Sequence, residues 1–358
     1  MSTLLVMAGG TGGHVFPALA VAQNLRDRGV EVVWLGTRSG LEAKTIPAAG
    51  FDIEWINIRG ARGKGVLGWL RTPFLILGAM IQTVGVVRRR RPRAMLGMGG
   101  FVAGPGGVVS WLLRRPLLIH EANALAGLTN QILARLASRV MTGFPGTFGN
   151  SVGEEYVGNP VRPEIAGLEA PRKRMAGRSG PLRILVVGGS QGARALNIEL
   201  PAVFASLKQQ GCAFEIRHQT GVNQREEVEQ RYLSLGLDAD AEAFIDDMAR
   251  AYEWADLVLC RSGAMTVAEV SAAGVAAVFV PFPYAVGDHQ TANANYLVTR
   301  GAAHLVPEQQ IAECLPPVLL NYCSDREALI STAEKARAQA MPNATDTVAR
   351  ICMESLDA

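Results

Sequence analysis

Acidic residues are missing where arginine is densest. From Trp55 through His120 the chain has no Asp or Glu, although 32 acidic residues in 358 would put about six in a stretch that long. Arg59, Arg62, Lys64, Arg71, Arg88, Arg89, Arg90, Arg91, Arg93, Arg114 and Arg115 all fall inside it. No aromatic-interleaved stripe or reading motif accompanies these cations, which speaks against nucleic acid as a partner. Cysteine is scarce: Cys212, Cys260, Cys314, Cys323 and Cys352 are odd in number and form no C-x-x-C. That argues against both a cysteine-built zinc site and a disulfide framework, and it suits a reducing cytosol. His14, His120, His218, His289 and His304 show no pairing at i, i+4. Asp238-Ala239-Asp240 matches D-x-D only in a turn-like run, so no metal site is expected. The longest apolar run, "PFLILGAMIQTVGVV" at 73–87, is interrupted by Gln82 and falls short of the roughly 20 residues a membrane span needs. The first residues lack the basic region of a signal peptide.

What is present describes a globular α/β protein. The 358 residues suffice for two domains, and 49% hydrophobic with 19% charged residues excludes a disordered chain. "MAGGTGGHVFPALA" at 7–20 puts four glycines and His14 between an apolar strand, "TLLVMA", and a helix with Pro17 suited to its first turn. Glycines at such a junction let backbone N–H groups approach a ligand, and the helix N-terminus favours negative charge. A dinucleotide loop fits poorly. The third glycine of G-x-G-x-x-G is replaced by Val15, and "EVVWLG" ends in Gly36 and Thr37 with no carboxylate placed for a ribose.

The plan recurs about 180 residues later in "RILVVGGSQGARALN" at 183–197, which implies two doubly wound parallel-sheet domains. "VGNPVRPEIAG" and "APRKRMAGRSGP" between them, rich in Pro, Gly and Arg, read as the linker. The last helix, "ATDTVARICMESL", shows Val348, Ile351 and Cys352 on one face and is expected to pack back on the first domain.

Taken in order, "GGTGGHVFPALA", "HEANALAGLTN", "VGNPVR", "GGSQGARALN", "FIDDM", "RSGAMTVAE" and "DHQTANA" closely resemble the MurG family. Its members are UDP-N-acetylglucosamine transferases that convert undecaprenyl-pyrophosphoryl-N-acetylmuramyl-pentapeptide (lipid I) to lipid II in peptidoglycan synthesis. The resemblance implies a GT-B fold, two Rossmann-like domains with a cleft between them. It also implies anomeric inversion with UDP-GlcNAc as donor and no metal or other cofactor. Residues 1–160, with helix 343–358, would form the acceptor and membrane-facing domain, and 161–342 the donor domain.

The resemblance also distributes roles. Gly9, Gly10, Thr11, Gly12 and Gly13 would face the acceptor pyrophosphate, with Thr11, Gly12 and Gly13 also reaching the donor. His14, kept neutral by the helix N-terminus, would be the general base for the acceptor C4 hydroxyl; otherwise it is a cap or a phosphate ligand. Thr266-x-x-Glu269 reads locally as a capping box with Glu269 in the first turn, whereas the family gives Glu269 the ribose hydroxyls of UDP. Ser190 either caps a helix beginning near Gln191 or joins Ala264, Met265 and Thr266 at the diphosphate. Arg162 would face the donor phosphates or form an interdomain salt bridge. Phe244 and Ile245 would hold uracil, or form an ordinary strand end. Asn123 and Gln290 would bind sugar hydroxyls, or satisfy buried backbone. His289 stands where some relatives carry a second glutamine.

A lipid-borne acceptor gives the basic window a purpose. Trp69, Leu70, Arg71, Phe74 and Leu75, with Arg88, Arg89, Arg90 and Arg91, would rest on anionic lipid at the cytoplasmic face of the inner membrane, beside other cell-wall synthesis proteins. The alternatives are a non-hydrolysing UDP-GlcNAc epimerase, a GT-B transferase acting on another lipid, and a non-catalytic membrane scaffold that retains nucleotide binding.

Overall fold

The computed structural model describes residues 2–58, 65–189 and 192–357, with 65–71 and 286 described by backbone alone. The chain divides into two compact units, Met1–Pro160 with Pro342–Ala358, and Val161–Met341.

The first unit is built on seven strands: β1 (Thr3–Ala8), β2 (Glu31–Gly36), β3 (Asp52–Trp55), β4 (Ala94–Gly99), β5 (Leu117–Glu121), β6 (Arg139–Thr142) and β7 (Glu154–Tyr156). They are all parallel, in the order β3-β2-β1-β4-β5-β6-β7. Every residue of β1 is buried, as a parallel sheet covered by helices on both faces requires. Its helices are α1 (Gly12–Asp27), α2 (Glu42–Ala48), α3 (Gly65–Arg90), α4 (Ala103–Leu112) and α5 (Leu128–Leu133). The α1 helix starts earlier than Pro17 suggested. The Thr11 carbonyl accepts from the His14 and Val15 N–H groups, so Pro17 lies in the second turn.

The second unit opens with the short helices α6 (Pro163–Ala166) and α7 (Pro171–Arg174). Its strands are β8 (Leu182–Val187), β9 (Phe214–Gln219), β10 (Asp240–Glu242), β11 (Leu257–Cys260), β12 (Ala276–Phe279) and β13 (His304–Leu305). These too are parallel, in the order β10-β9-β8-β11-β12-β13. The helices between and after them are α8 (Arg194–Gln209), α9 (Arg225–Ser234), α10 (Met248–Trp254), α11 (Ala264–Ala273), α12 (His289–Val298), α13 (Ile311–Ser324) and α14 (Arg326–Arg337).

The last helix, α15 (Ala344–Asp357), belongs to the first unit. Its Val348, Ile351 and Cys352 are fully buried in the cluster containing Leu4, Val21 and Leu25. Burying side chains of this size contributes about 1.5–3 kcal/mol each.

Two expectations are corrected here. The Pro-, Gly- and Arg-rich segment is no loose linker, because Arg174 is buried and donates to the carbonyls of Glu169 (3.0 Å), Ala273 (2.6 Å) and Gly274 (2.6 Å). Its guanidinium thereby satisfies the C-terminus of α11, where a cation complements the helix dipole. Burial and the nearby Arg178 bring its pKa down to about 10, so it stays charged at neutral pH. The cysteines do form one disulfide, Cys212–Cys323, with Cα atoms 6.0 Å apart. The pair is 111 residues apart and meets because α13 packs along α8, which local spacing could not reveal.

Along α3, Phe74 is 76% exposed, Ile81 66% and Leu77 55%, and Leu75 is exposed as well. The side chains of Trp69, Leu70 and Arg71 lie outside the described residues. The four-arginine run is divided. Arg89 and Arg90 both pair with Glu54 at 2.7 Å and Arg90 also with Asp52, while Arg88 and Arg91 are exposed and have no such pair among the described residues. Among those residues no helix is long and apolar enough to cross a membrane.

Candidate active site

In a doubly wound sheet the ligand crevice opens where strand order reverses, at the carboxyl ends of the strands on either side. In the first unit that point lies between β1 and β4. Gly10, with φ +90°, turns the chain out of β1, and Thr11 precedes α1 in extended conformation. Gly99 ends β4 and Gly100 follows it, with φ +103° and +81°. A Cβ on Gly100 would lie 2.2 Å from the Gly9 carbonyl oxygen, and one on Gly99 would lie 2.4 Å from Cδ2 of His14. The imidazole therefore lies directly on Gly99, in the third position of α1, with Nδ1 3.4 Å from Thr11 Oγ1. This second glycine pair, in "GMGGF", escaped the sequence reading; its signal was two adjacent glycines ending an apolar strand.

Glu42 also escaped it. Fully buried at the start of α2, it accepts from the Gly10 N–H (2.9 Å), the Thr37 N–H (2.9 Å) and the Thr37 hydroxyl (2.8 Å). A carboxylate does stand near the end of β2, but it is spent on the glycine loop and not on a ribose. Beside that loop is a cavity of about 200 Å³ lined by Gly9, Gly10, Thr37, Ser39, Ile58 and Phe101, among others.

Glu121 organises the loop after β5. It accepts from the Asn123 backbone (2.9 Å) and amide side chain (3.1 Å), the Gly127 N–H (3.1 Å) and Asn130 (2.9 Å). Asn123 is thus held half-buried by a buried carboxylate. Buried His120 donates from Nε2 to the Gly158 carbonyl (2.9 Å), and Asn159 donates to the Ala122 carbonyl (3.0 Å). Two sequence motifs are knitted together in this way. Burial lowers the pKa of His120 and keeps it neutral.

In the second unit the reversal lies between β8 and β11. Gly188 and Gly189 follow β8, and Gly192 has φ +77° with its Cα against the Thr220 carbonyl. The α8 helix begins at Arg194 after Ala193, so the expectation of a helix start near Gln191 capped by Ser190 is corrected. Ser190 itself lies outside the described residues.

After β11, Gly263 caps α11, and Ala264, Met265 and Thr266 form its first turn. The capping-box reading fails, because Thr266 is already inside the helix and Glu269 lies in the second turn. Glu269 instead accepts from Arg162 Nη2 (3.0 Å) and from the Tyr252 hydroxyl (3.2 Å). It is 15% exposed, and burial raises its pKa against the opposing pull of Arg162. Arg162, placed just before α6, is thus an ion-pair partner within its own unit, not an interdomain one. Tyr252 was missed by sequence reasoning, since a lone tyrosine on a short helix carries no signal.

The stretch "DHQTANA" joins the same region. Buried Asn293 donates to the Ser262 carbonyl (3.1 Å), and Gln290 Oε1 accepts from the Phe282 N–H (2.9 Å). His289 opens α12. Arg261, also unforeseen, braces this loop by donating to the Val280 and Pro281 carbonyls and pairing with Glu308. Phe244, 45% exposed, and buried Ile245 follow β10, at the edge of the sheet beyond β9. Thr11, Gly12, Gly13 and Asn123 belong to the first unit. Among the described residues no three His, Cys, Asp or Glu side chains are grouped to hold a metal ion.

Two doubly wound parallel-sheet units, each with a glycine-lined switch point, have the architecture of a GT-B glycosyltransferase. Residues 4–142 match the N-terminal domain of glycosyltransferase family 28, and residues 183–348 match its C-terminal domain. The UDP-N-acetylglucosamine–N-acetylmuramyl-(pentapeptide) pyrophosphoryl-undecaprenol N-acetylglucosamine transferase of Alkalilimnicola ehrlichii is 53% identical, over 98% of each chain. The protein of the same name from Nitrosococcus oceani is 52% identical with the same coverage. The crystal structure of Acinetobacter baumannii MurG is similar with a TM-score of 0.85 at 41% identity, covering 99% of this chain and all of that one. The chain belongs to the MurG family of GT-B glycosyltransferases.

Proposed function

We propose that the chain transfers N-acetylglucosamine from UDP-N-acetylglucosamine to the C4 hydroxyl of N-acetylmuramic acid in lipid I, giving lipid II. The observation that carries this reading is the pair of glycine-lined switch points, one per unit, each beside a helix N-terminus suited to a diphosphate. The name shared by relatives about half identical over nearly the whole chain supports it.

In this reading the second unit takes the donor. The N–H groups at the start of α11, with Thr266 and the loop after β8 that includes Ser190, receive the diphosphate. Glu269 accepts from the two ribose hydroxyls, its pairing with Arg162 and Tyr252 holding the carboxylate in place for them. Phe244 and Ile245 take uracil, and Gln290 and His289 take the sugar. The first unit takes the acceptor, with its pyrophosphate at the loop from Gly9 to Gly13, and Asn123 positions sugar hydroxyls.

His14 removes the proton of the C4 hydroxyl as that oxygen attacks C1 of the donor sugar. The bond from C1 to the UDP oxygen breaks with its electron pair leaving on the diphosphate, and the helix N-termini stabilise that charge. One displacement inverts the anomeric centre. The backbone amides at these helix ends supply charge stabilisation without calling on a metal ion.

The exposed apolar row Phe74, Leu77 and Ile81, with Arg88 and Arg91, supports docking on the anionic cytoplasmic leaflet where the acceptor resides. The test is transfer of radiolabelled N-acetylglucosamine from UDP-N-acetylglucosamine to a lipid I analogue with EDTA present. Labelled lipid product is expected. Epimerisation of the donor without any acceptor, or a strict need for a divalent cation, would overturn the reading.

A further inference from the structure

The cavity beside the first glycine loop is not used by the chemistry above. It lies at the carboxyl ends of β1, β2 and β4, sharing Gly9 and Gly10 with the loop proposed to face the acceptor pyrophosphate. Its lining is mixed: the hydroxyl-bearing Thr37 and Ser39 and glycine backbone, together with Ile58, Phe101 and Val102. Glu42 beneath it is engaged by Gly10 and Thr37, so the floor presents no unanswered carboxylate to an incoming group.

We propose that this cavity receives the 2-acetamido group of the acceptor sugar, an inference that rests on the acceptor assignment above. Two groups flank a sugar-linked pyrophosphate: the substituent at C2 of the sugar and the first carbons of the prenyl chain. A prenyl unit has no use for Thr37, Ser39 and glycine backbone. An acetamide has a methyl for Phe101 and Ile58 and an amide for the hydroxyls, and at about 200 Å³ the cavity has room for it. On the sugar, C2 adjoins the phosphate-bearing C1 while the reacting C4 is remote from it. That matches a cavity lined by Gly9 and Gly10 of the loop itself, whereas His14 is not among its lining and lies against Gly99. The cavity thereby selects an N-acetylated acceptor.

The experiment compares acceptors that differ only in a 2-acetamido or 2-hydroxyl group, with the wild type and a Phe101→Ala/Ser39→Ala variant. Both side chains are exposed, so the fold tolerates their loss. The wild type should favour the acetamido acceptor in kcat/KM by about tenfold or more, and the variant should lose most of that ratio with donor KM unchanged. Saturation-transfer NMR with the lipid-free sugar diphosphate gives a readout independent of turnover, in which the acetyl methyl should receive magnetisation from the wild type and not from the variant. Equal use of the two acceptors by the wild type, or an unchanged ratio in the variant, overturns the inference while the transfer activity stands. So does a loss that follows prenyl length and not the acetamide. Absence of transfer to either acceptor overturns the functional reading, and the methyl signal then decides the cavity alone.

Discussion

His218 sits in β9 with no solvent exposure, its Nδ1 2.9 Å from the Tyr232 hydroxyl and its Nε2 buried with no hydrogen-bond partner among the described residues. Burial drives its pKa down to about 3 from an ordinary 6.5. Below pH 6.5 the unfolded chain takes up a proton at this position that the folded chain refuses. Stability contributed by keeping the ring neutral is therefore full above pH 6.5 and is lost progressively as pH falls toward 3. The loss is about 1.4 kcal/mol per pH unit, or about 2 kcal/mol between pH 6.5 and 5. That is a large share of a domain stability of about 5–15 kcal/mol. The clean perturbation is His218→Phe with Tyr232→Phe, which removes both polar partners and leaves no orphan. The assay is hydrogen exchange of the β8 and β9 amides, whose protection reports the opening of the second unit, at pH 7.5 and pH 5. The wild type should lose about 2 kcal/mol more protection free energy between these conditions than the double variant. Equal losses would refute the assignment, whatever the absolute stability of the variant.

His14→Ala should lower kcat by about 10²–10⁴-fold with little change in acceptor KM, measured by steady-state transfer to a lipid I analogue; a purely acceptor-KM effect would remove the base role. Glu269→Gln keeps the shape but loses the charge that accepts from Arg162 and Tyr252, so the dissociation constant for UDP, read by calorimetry, should rise by about tenfold or more. An unchanged value would place the ribose elsewhere. Phe74→Ser with Ile81→Ser should weaken sedimentation with anionic vesicles, and wild-type binding should fall as salt rises. Binding indifferent to lipid charge and salt would end the docking assignment.

The strand–glycine–helix junctions after β1 and β8 were legible because glycine content, apolar runs and helix periodicity are local properties. So were the duplicated doubly wound plan and the return of α15. What escaped depends on distant chain segments. Gly99 and Gly100 matter because β4 lies beside β1 in space, Glu42 because α2 brings it under Gly10, and Tyr252 because α10 lies against α11. Cys212 and Cys323 meet only through the packing of α13 on α8. The capping box at Thr266 and Glu269 failed for a local reason: an i, i+3 spacing is satisfied anywhere along a helix, and Gly263 had already begun this one.

The path of the chain has a consequence for its birth. Helix α15 covers Val21 and Leu25, yet residues 161–343 must be made before it exists. At roughly 5–20 residues per second the ribosome needs about 10–40 s for that stretch. Throughout this interval the emerging first lobe carries an uncovered greasy flank on α1 while its successor is already taking shape, so the first lobe completes its core only when synthesis ends.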